Sequence, residues 1–482
     1  MNEMTNDDGS HSDYFDAVEY LETRGLPPSC KDGGDDNRFA PTLESLPPEL
    51  RFQILASMPD LLSLRSLVRA SPVLHAQYLH DRSAILCSCM ERELDGFVLD
   101  AFALPTSRVR YIGSPRTDEK IKDFLEGYGG WISGSRPYLS VAEMHPSSLR
   151  WIAAYHTSVA LPLAHRYAKW AIENLTTLAS SVTTAQRDPR DDERIDSKAN
   201  EIKLSRSEEI RIFRALYRYD TFYHLFGQNR GVREGTEFLR HNVNDTFCGL
   251  FHPWEVEAFG TVDLFVREQY HKLFEEVMWD LCDENPRFHQ NGNFYPSDSL
   301  NLKGEYDYYM DGTVARGLDL TSRLLAVKGH ENLVAKMERC LTHSDEMDYR
   351  MRHVLSFVAQ ADRRDELPSF PTARDEAEQR RDALEFVGDS VPPDGPPFGW
   401  CLLWNNKCAN IYGQLVPEPL RRTGYVVWDA GRWDAISPCS QQRELVVKIW
   451  ADDPLTAEWV ESTCDWSPVE RGTEEETSAE TT

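Results

Sequence analysis

Cys87 and Cys89 stand two apart in a stretch with helical patterning, so their side chains point away from each other and cannot share a metal ion. Cys401 and Cys408 lack the close paired spacing of zinc sites, and no second pair completes them. Burial is the expected state of all four thiols. Asp307 through Asp311-Gly312 has the outline of a calcium loop, but Tyr309 occupies its third position and Leu318 its twelfth, where oxygen ligands are required. His252, two residues before Trp254 and three before Glu255, suits a helix start better than a ligand position. No Gly-rich phosphate loop, Gly-x-Ser-x-Gly elbow or His-Glu-x-x-His pair occurs. The sequence predicts no catalytic set, no metal and no cofactor, and so a binding protein in place of an enzyme.

Two groups of side chains could bind. Arg211, Arg214 and Arg218 fall on one face of a helix, beside apolar Ile210, Phe213, Leu216, Tyr217 and Tyr223. Such a cluster could receive an acidic or phosphorylated substrate motif, or it could pair with the chain's own carboxylates, which the sequence favours. Trp400, Trp404, Tyr425, Trp428 and Trp433 could line a peptide pocket, although aromatics at this density favour a core.

The elements that must position these groups belong to a chain of 482 residues, long enough for two or three ordinary domains. Its net charge of −27 is uneven. Residues 1–39 hold ten acidic residues against three basic, and residues 465–482 hold six against one. Segments 1–41 and 465–482 are therefore expected to be disordered acidic tails. Negative charge disfavours nucleic acid and anionic membrane as partners, while basic protein surfaces stay open. The first twenty residues lack a secretory signal, and no stretch reaches bilayer length. Ten irregularly spaced cysteines suit a reducing compartment, so a cytoplasmic or nuclear location is expected.

Helical patterns are expected over 83–103, 119–128, 161–178, 206–226, 254–282, 344–361 and 372–386. The fourth opens with a capping box, Ser205 and Glu208, and Gly227 can stop its last turn. Segment 183–207 reads as a flexible insertion, and 283–317 and the Pro-rich 389–399 as loops. Residues 425–428 could form a short strand. The fold class is mainly α, with a helical body over 83–390 and an aromatic-rich C-terminal segment, 398–464, packed on it.

Residues 42–82 differ from the rest in being locally neutral and rich in apolar stripes. Leu46, Leu50, Ile54 and Met58 recur every four residues, with Phe52 and Leu55 widening the apolar surface round the helix. Pro47 and Pro48 suit a helix start, and Asp60 can cap a second helix with Leu61, Leu64, Leu67 and Val68. Ser71-Pro72 restarts a third. Some forty residues cannot bury such stripes alone, so they must meet either the rest of this chain or another protein.

The succession Leu46-Pro47-x-Glu49-Leu50, Ile54-Leu55-x-x-Met58-Pro59 and Leu61-x-x-Leu64-x-x-Leu67-Val68-Arg69-Ala70-Ser71-Pro72 resembles an F-box, in the variant with an Arg-Ala-Ser-Pro ending found in many fungal proteins. Leu74-His75 stands where that family usually carries Trp. The resemblance covers residues 43–80. It implies an N-terminal three-helix module that docks a Skp-type adaptor through Leu46, Pro47, Leu50, Ile54, Met58, Leu61 and Leu64. It further implies a substrate receptor of a cullin–RING ubiquitin ligase, with the remaining chain recruiting an unidentified protein substrate. Two alternatives stand beside it: an F-box-like interaction or structural protein without a ligase role, and an enzyme of unrecognised type.

Overall fold

The structure, a computed structural model, describes residues 42–113, 115–183, 203–227, 233–234, 243–244, 246–288, 300–344, 351–355, 383–406, 413, 416–436, 442 and 445–446. The acidic segments 1–41 and 465–482, and 184–202 of the expected insertion, lie outside the described residues.

Five helices start with proline in the first turn, where its fixed φ is already helical and its missing N–H is not needed. Helix α1 (Pro48–Ala56) follows a single 3-10 turn at Leu43–Ser45. Asp60 caps α2 (Leu61–Ala70) by accepting from Ser63 N, and Ser71 caps α3 (Pro72–Glu93) by accepting from Val73 N and Leu74 N. The sequence places a break near residues 81–82; α3 instead runs through, with only Asp81 leaving helical geometry (φ −109°, ψ 22°). The break falls later, at residues 94–97, before α4 (Val98–Thr106).

Helix α5 (Asp118–Ile132) is joined by α6 (Pro146–Tyr155), a π-helical turn (His156–Ala160) and α7 (Leu161–Thr183), which together extend the expected 161–178 helix backward. Helices α8 (Arg206–Phe226) and α9 (Pro253–Leu281) match their sequence reading to within a residue. The Ser205–Glu208 capping box is present at α8. Gly227 does end α8, but at φ −87° and not in the left-handed region. Glycine is required there because a Cβ would lie 2.4 Å from Ala315 O.

Helices α10 (Tyr306–Val314), α11 (Leu318–Leu325) and α12 (His330–Cys340) follow. The first corrects the loop expected over 283–317. Its Gly312 allows close helix packing, since a Cβ would come 2.1 Å from Thr342 O, while Met310 and Val314 are buried. Packing thus overrides a composition that reads as loop. The helix expected over 344–361 is reduced, among the described residues, to one turn at Met351–Val354, and residues 383–386 of the expected 372–386 helix are not helical. The C-terminal part carries α13 (Phe398–Trp404), α14 (Glu418–Arg422) and α15 (Ala430–Ile436). Residues 423–427 form consecutive turns where a strand was expected. The described residues hold a single parallel pair of two-residue strands, Arg116–Thr117 with Arg233–Glu234.

The class is mainly α. One cluster of buried side chains runs from Leu55 to Val446 and takes in Trp400, Trp404, Tyr425, Trp428 and Trp433. Helix α8 lies at its centre, packed by α4, α7 and α9, and is buried on every side. A helix enclosed in this way must satisfy its polar side chains internally.

Candidate functional site

Helix α1 divides its apolar residues between two directions. Leu55 is wholly buried and Phe52 packs half-buried on the core, while Leu50 is 44 % exposed and Leu43, in the turn before it, 48 %. Pro47 is exposed, and Leu46, Ile54 and Met58 are half-buried. Leu61 and Leu64 depart from the expected docking set: both are buried in the chain's own core, where α2 packs on α3. The structure therefore leaves Leu46, Pro47 and Leu50 accessible, Ile54 and Met58 partly so, and Leu61 and Leu64 enclosed.

Two neighbouring residues at the end of α3 lock this region to the body. Arg92 donates from Nη2 to the carbonyls of Ala56 and Met58, both at 2.6 Å, and so satisfies orphan acceptors at the C-terminal end of α1. Glu93 accepts from Leu61 N at 2.9 Å with one oxygen and lies 3.1 Å from His156 Nε2 with the other. His156, fully buried in the π-helical turn, reaches Tyr217 Oη of α8 with Nδ1 at 3.1 Å and stacks on Phe97. Arg206, at the first position of α8, donates to the carbonyls of Glu93 and Asp95, both at 2.8 Å. Arg92, Glu93 and His156 were not singled out from the sequence. Their partners lie 32 to 63 residues away, beyond the reach of any local pattern.

The three arginines of α8 are paired inside the molecule, the arrangement the sequence favours over a substrate-binding cluster. Arg211 Nη1 donates to Asp429 at 2.6 Å and to Val427 O, and its Nη2 to Asp389. Arg214 donates to Gly96 O at 2.8 Å and to Asp394. Arg218, 6 % exposed, bridges Asp100 and Glu255 at 2.7 Å each and lies over the Phe251 ring. Tyr128 Oη donates to the same Asp100. Burial would raise the Glu255 carboxyl, but Arg218, His252 and Arg214 outweigh it and bring its pKa down to about 2. These are ion pairs that let a polar helix face be buried, as the abundance of carboxylates suggests.

Cys87, Cys89 and Cys401 have pKa values raised chiefly by burial, Cys89 and Cys401 to about 12, so their thiols are protonated at neutral pH. Among the described residues, no group of three or more His, Cys, Asp or Glu side chains could hold a metal ion. No described helix is long and apolar enough to cross a membrane. Compared with known proteins, the chain matches no family model, no curated protein and no solved structure.

Proposed function

We propose that this chain is an adaptor-docking protein of the F-box type, a substrate receptor that presents α1 to a Skp-type adaptor while its helical body engages a protein target. The observation that carries the reading is the 44 % exposure of Leu50, beside exposed Pro47 and a Leu43 48 % exposed in the preceding turn, on a helix whose other side is anchored by Leu55. Large apolar side chains left accessible on a well-anchored helix fit the helix-in-groove mode of recognition. The motif residues 46–72 that resemble an F-box include Pro47 and Leu50.

The test is one substitution read two ways. Leu50→Asp places a charge in an interface that excludes water, at a cost of several kcal/mol to binding. Because Leu50 is exposed in the free chain, its thermal stability should stay close to wild type. Loss of adaptor co-purification with an unchanged melting temperature supports the receptor reading. A wild-type chain that never captures the adaptor ends it.

A second reading has a specific observation behind it. Leu61 and Leu64 are enclosed, and α3 continues past the F-box-like stretch as a body helix whose Glu93 reaches His156. A chain that uses these helices as part of its own scaffold, with no ligase role, would look the same there. Adaptor capture separates the two.

A further inference from the structure

A cleft of about 130 Å³ lies between α2, α3 and α6. A single water needs only about 10–15 Å³, so the cleft has room for side chains. Leu61, Leu64, Val68 and Leu86 form its apolar floor. Four cationic side chains line it: Arg65 and Arg69 from α2, Arg82 from α3 and Arg150 from α6. Among the described residues, Arg65, Arg69 and Arg150 form no ion pair, whereas the arginines of α8 are each paired within the chain. Burial and the neighbouring Arg69 pull the Arg65 guanidinium below its usual pKa, as expected of like charges crowded together. A cationic, apolar-floored cleft in a chain of net charge −27 calls for an anionic occupant with apolar side chains.

The chain itself contains such a segment. In Asp13–Glu22 the acidic residues Asp13, Asp16, Glu19 and Glu22 recur every third position, and Tyr14, Phe15, Val18, Tyr20 and Leu21 fill the gaps. No basic residue interrupts it. The acidic C-terminal stretch lacks that pattern, since no aromatic or branched aliphatic residue follows Val469. The polypeptide joins the described fold beside the cleft: Glu44 Oε1 accepts from Ser71 Oγ at 2.5 Å, and Ser71 lies two residues after Arg69. Residues 23–42 can span up to about 66 Å at about 3.3 Å each, far more than the return requires.

We propose that Asp13–Glu22 seats in this cleft in cis, its carboxylates on the arginines and its aromatic rings on the leucine floor. The seat is formed by α2 and α3, on which the Leu50-bearing α1 packs, so an occupied cleft would tie the N-terminal segment to the docking region. The inference rests on the cleft alone and stands whether or not the adaptor binds.

A photo-crosslinking phenylalanine in place of Phe15 in the full chain tests it. Irradiation should attach residue 15 to peptides within 61–86 or 150–157, identified by mass spectrometry. Arg65→Glu with Arg69→Glu should cut that yield by about tenfold, the effect of losing two exposed ion pairs. Asp16→Arg with Glu19→Arg in the same background should restore it. Both arginines are exposed and, among the described residues, form no ion pair, so the melting transition should survive. Should it not, Asp16→Arg with Glu19→Arg alone makes the same test without touching the cleft. Attachment elsewhere, or a yield indifferent to charge reversal, overturns the proposal. Cross-links between two chains that grow with concentration overturn it in favour of a second copy.

Discussion

Asp220 shows how a single enclosed residue ties stability to pH. It is 2 % exposed, and its oxygens accept from Leu318 N at 2.8 Å and Tyr155 Oη at 2.7 Å. Burial raises its pKa to about 6 in spite of those donors and of Arg108. His224, 3.9 Å away, offers no charge to compensate, because burial lowers its own pKa to about 3. A carboxyl that binds its proton more tightly in the folded state favours folding below its unfolded value of 3.8, and that contribution is lost as pH rises through about 6. The difference is worth roughly 3 kcal/mol. Asp220→Asn keeps an acceptor for Leu318 N and removes the charge. Urea denaturation should find it roughly 2–3 kcal/mol more stable than wild type at about pH 8 and nearly equal at about pH 4. An equal gain at both would show that charge burial is not the cause.

Among the elements, what could be read in advance was local. The capping box at Ser205 and Glu208, the prolines at helix starts and the cap at Asp60 are decided within four residues, and the structure holds each of them. Helix α10 was illegible because Gly312 and three tyrosines resemble a loop until Thr342 is known to lie against them. The arginine cleft was illegible for the same reason: Arg150 and Arg65 meet only after α6 folds onto α3. The junction at Glu93 is also of this kind, and it yields a prediction at the element scale. Glu93→Ala deprives Leu61 N and His156 Nε2 of an acceptor, at a cost of about 1–3 kcal/mol for the buried groups left unsatisfied. Amide hydrogen exchange should quicken across α1 and α2 while α8 keeps its protection. A uniform loss of protection in all three would show that the junction supports the whole fold and not the attachment of the N-terminal helices.

At the scale of the molecule, the C-terminal segment is held by charge as well as by aromatic packing. Trp400, Trp428 and Trp433 are fully buried. Arg432 donates from Nε to Glu208 at 2.6 Å and lies over the Trp428 ring, and Arg421 donates from Nε to Glu257 at 2.7 Å. Burial pushes the Glu257 carboxyl up against the pull of Arg421 and of Gly413 N–H, so the ion pair compensates a charge with no water around it. Truncation after Asp394 would strip the core of these tryptophans, each worth about 3–5 kcal/mol, and strand Glu208 and Glu257 without their arginines. The truncated chain should be insoluble or should melt without cooperativity. Arg421→Met isolates the electrostatic share: it should cost about 3–5 kcal/mol in urea denaturation at neutral pH. Adding Glu257→Gln should return most of that loss, because the carboxamide leaves no charge to strand while still accepting from Gly413 N. A soluble, cooperatively folding fragment ending at Asp394, or a double variant no more stable than Arg421→Met, would show that the aromatic segment is a separate unit and that Glu257 does not depend on it.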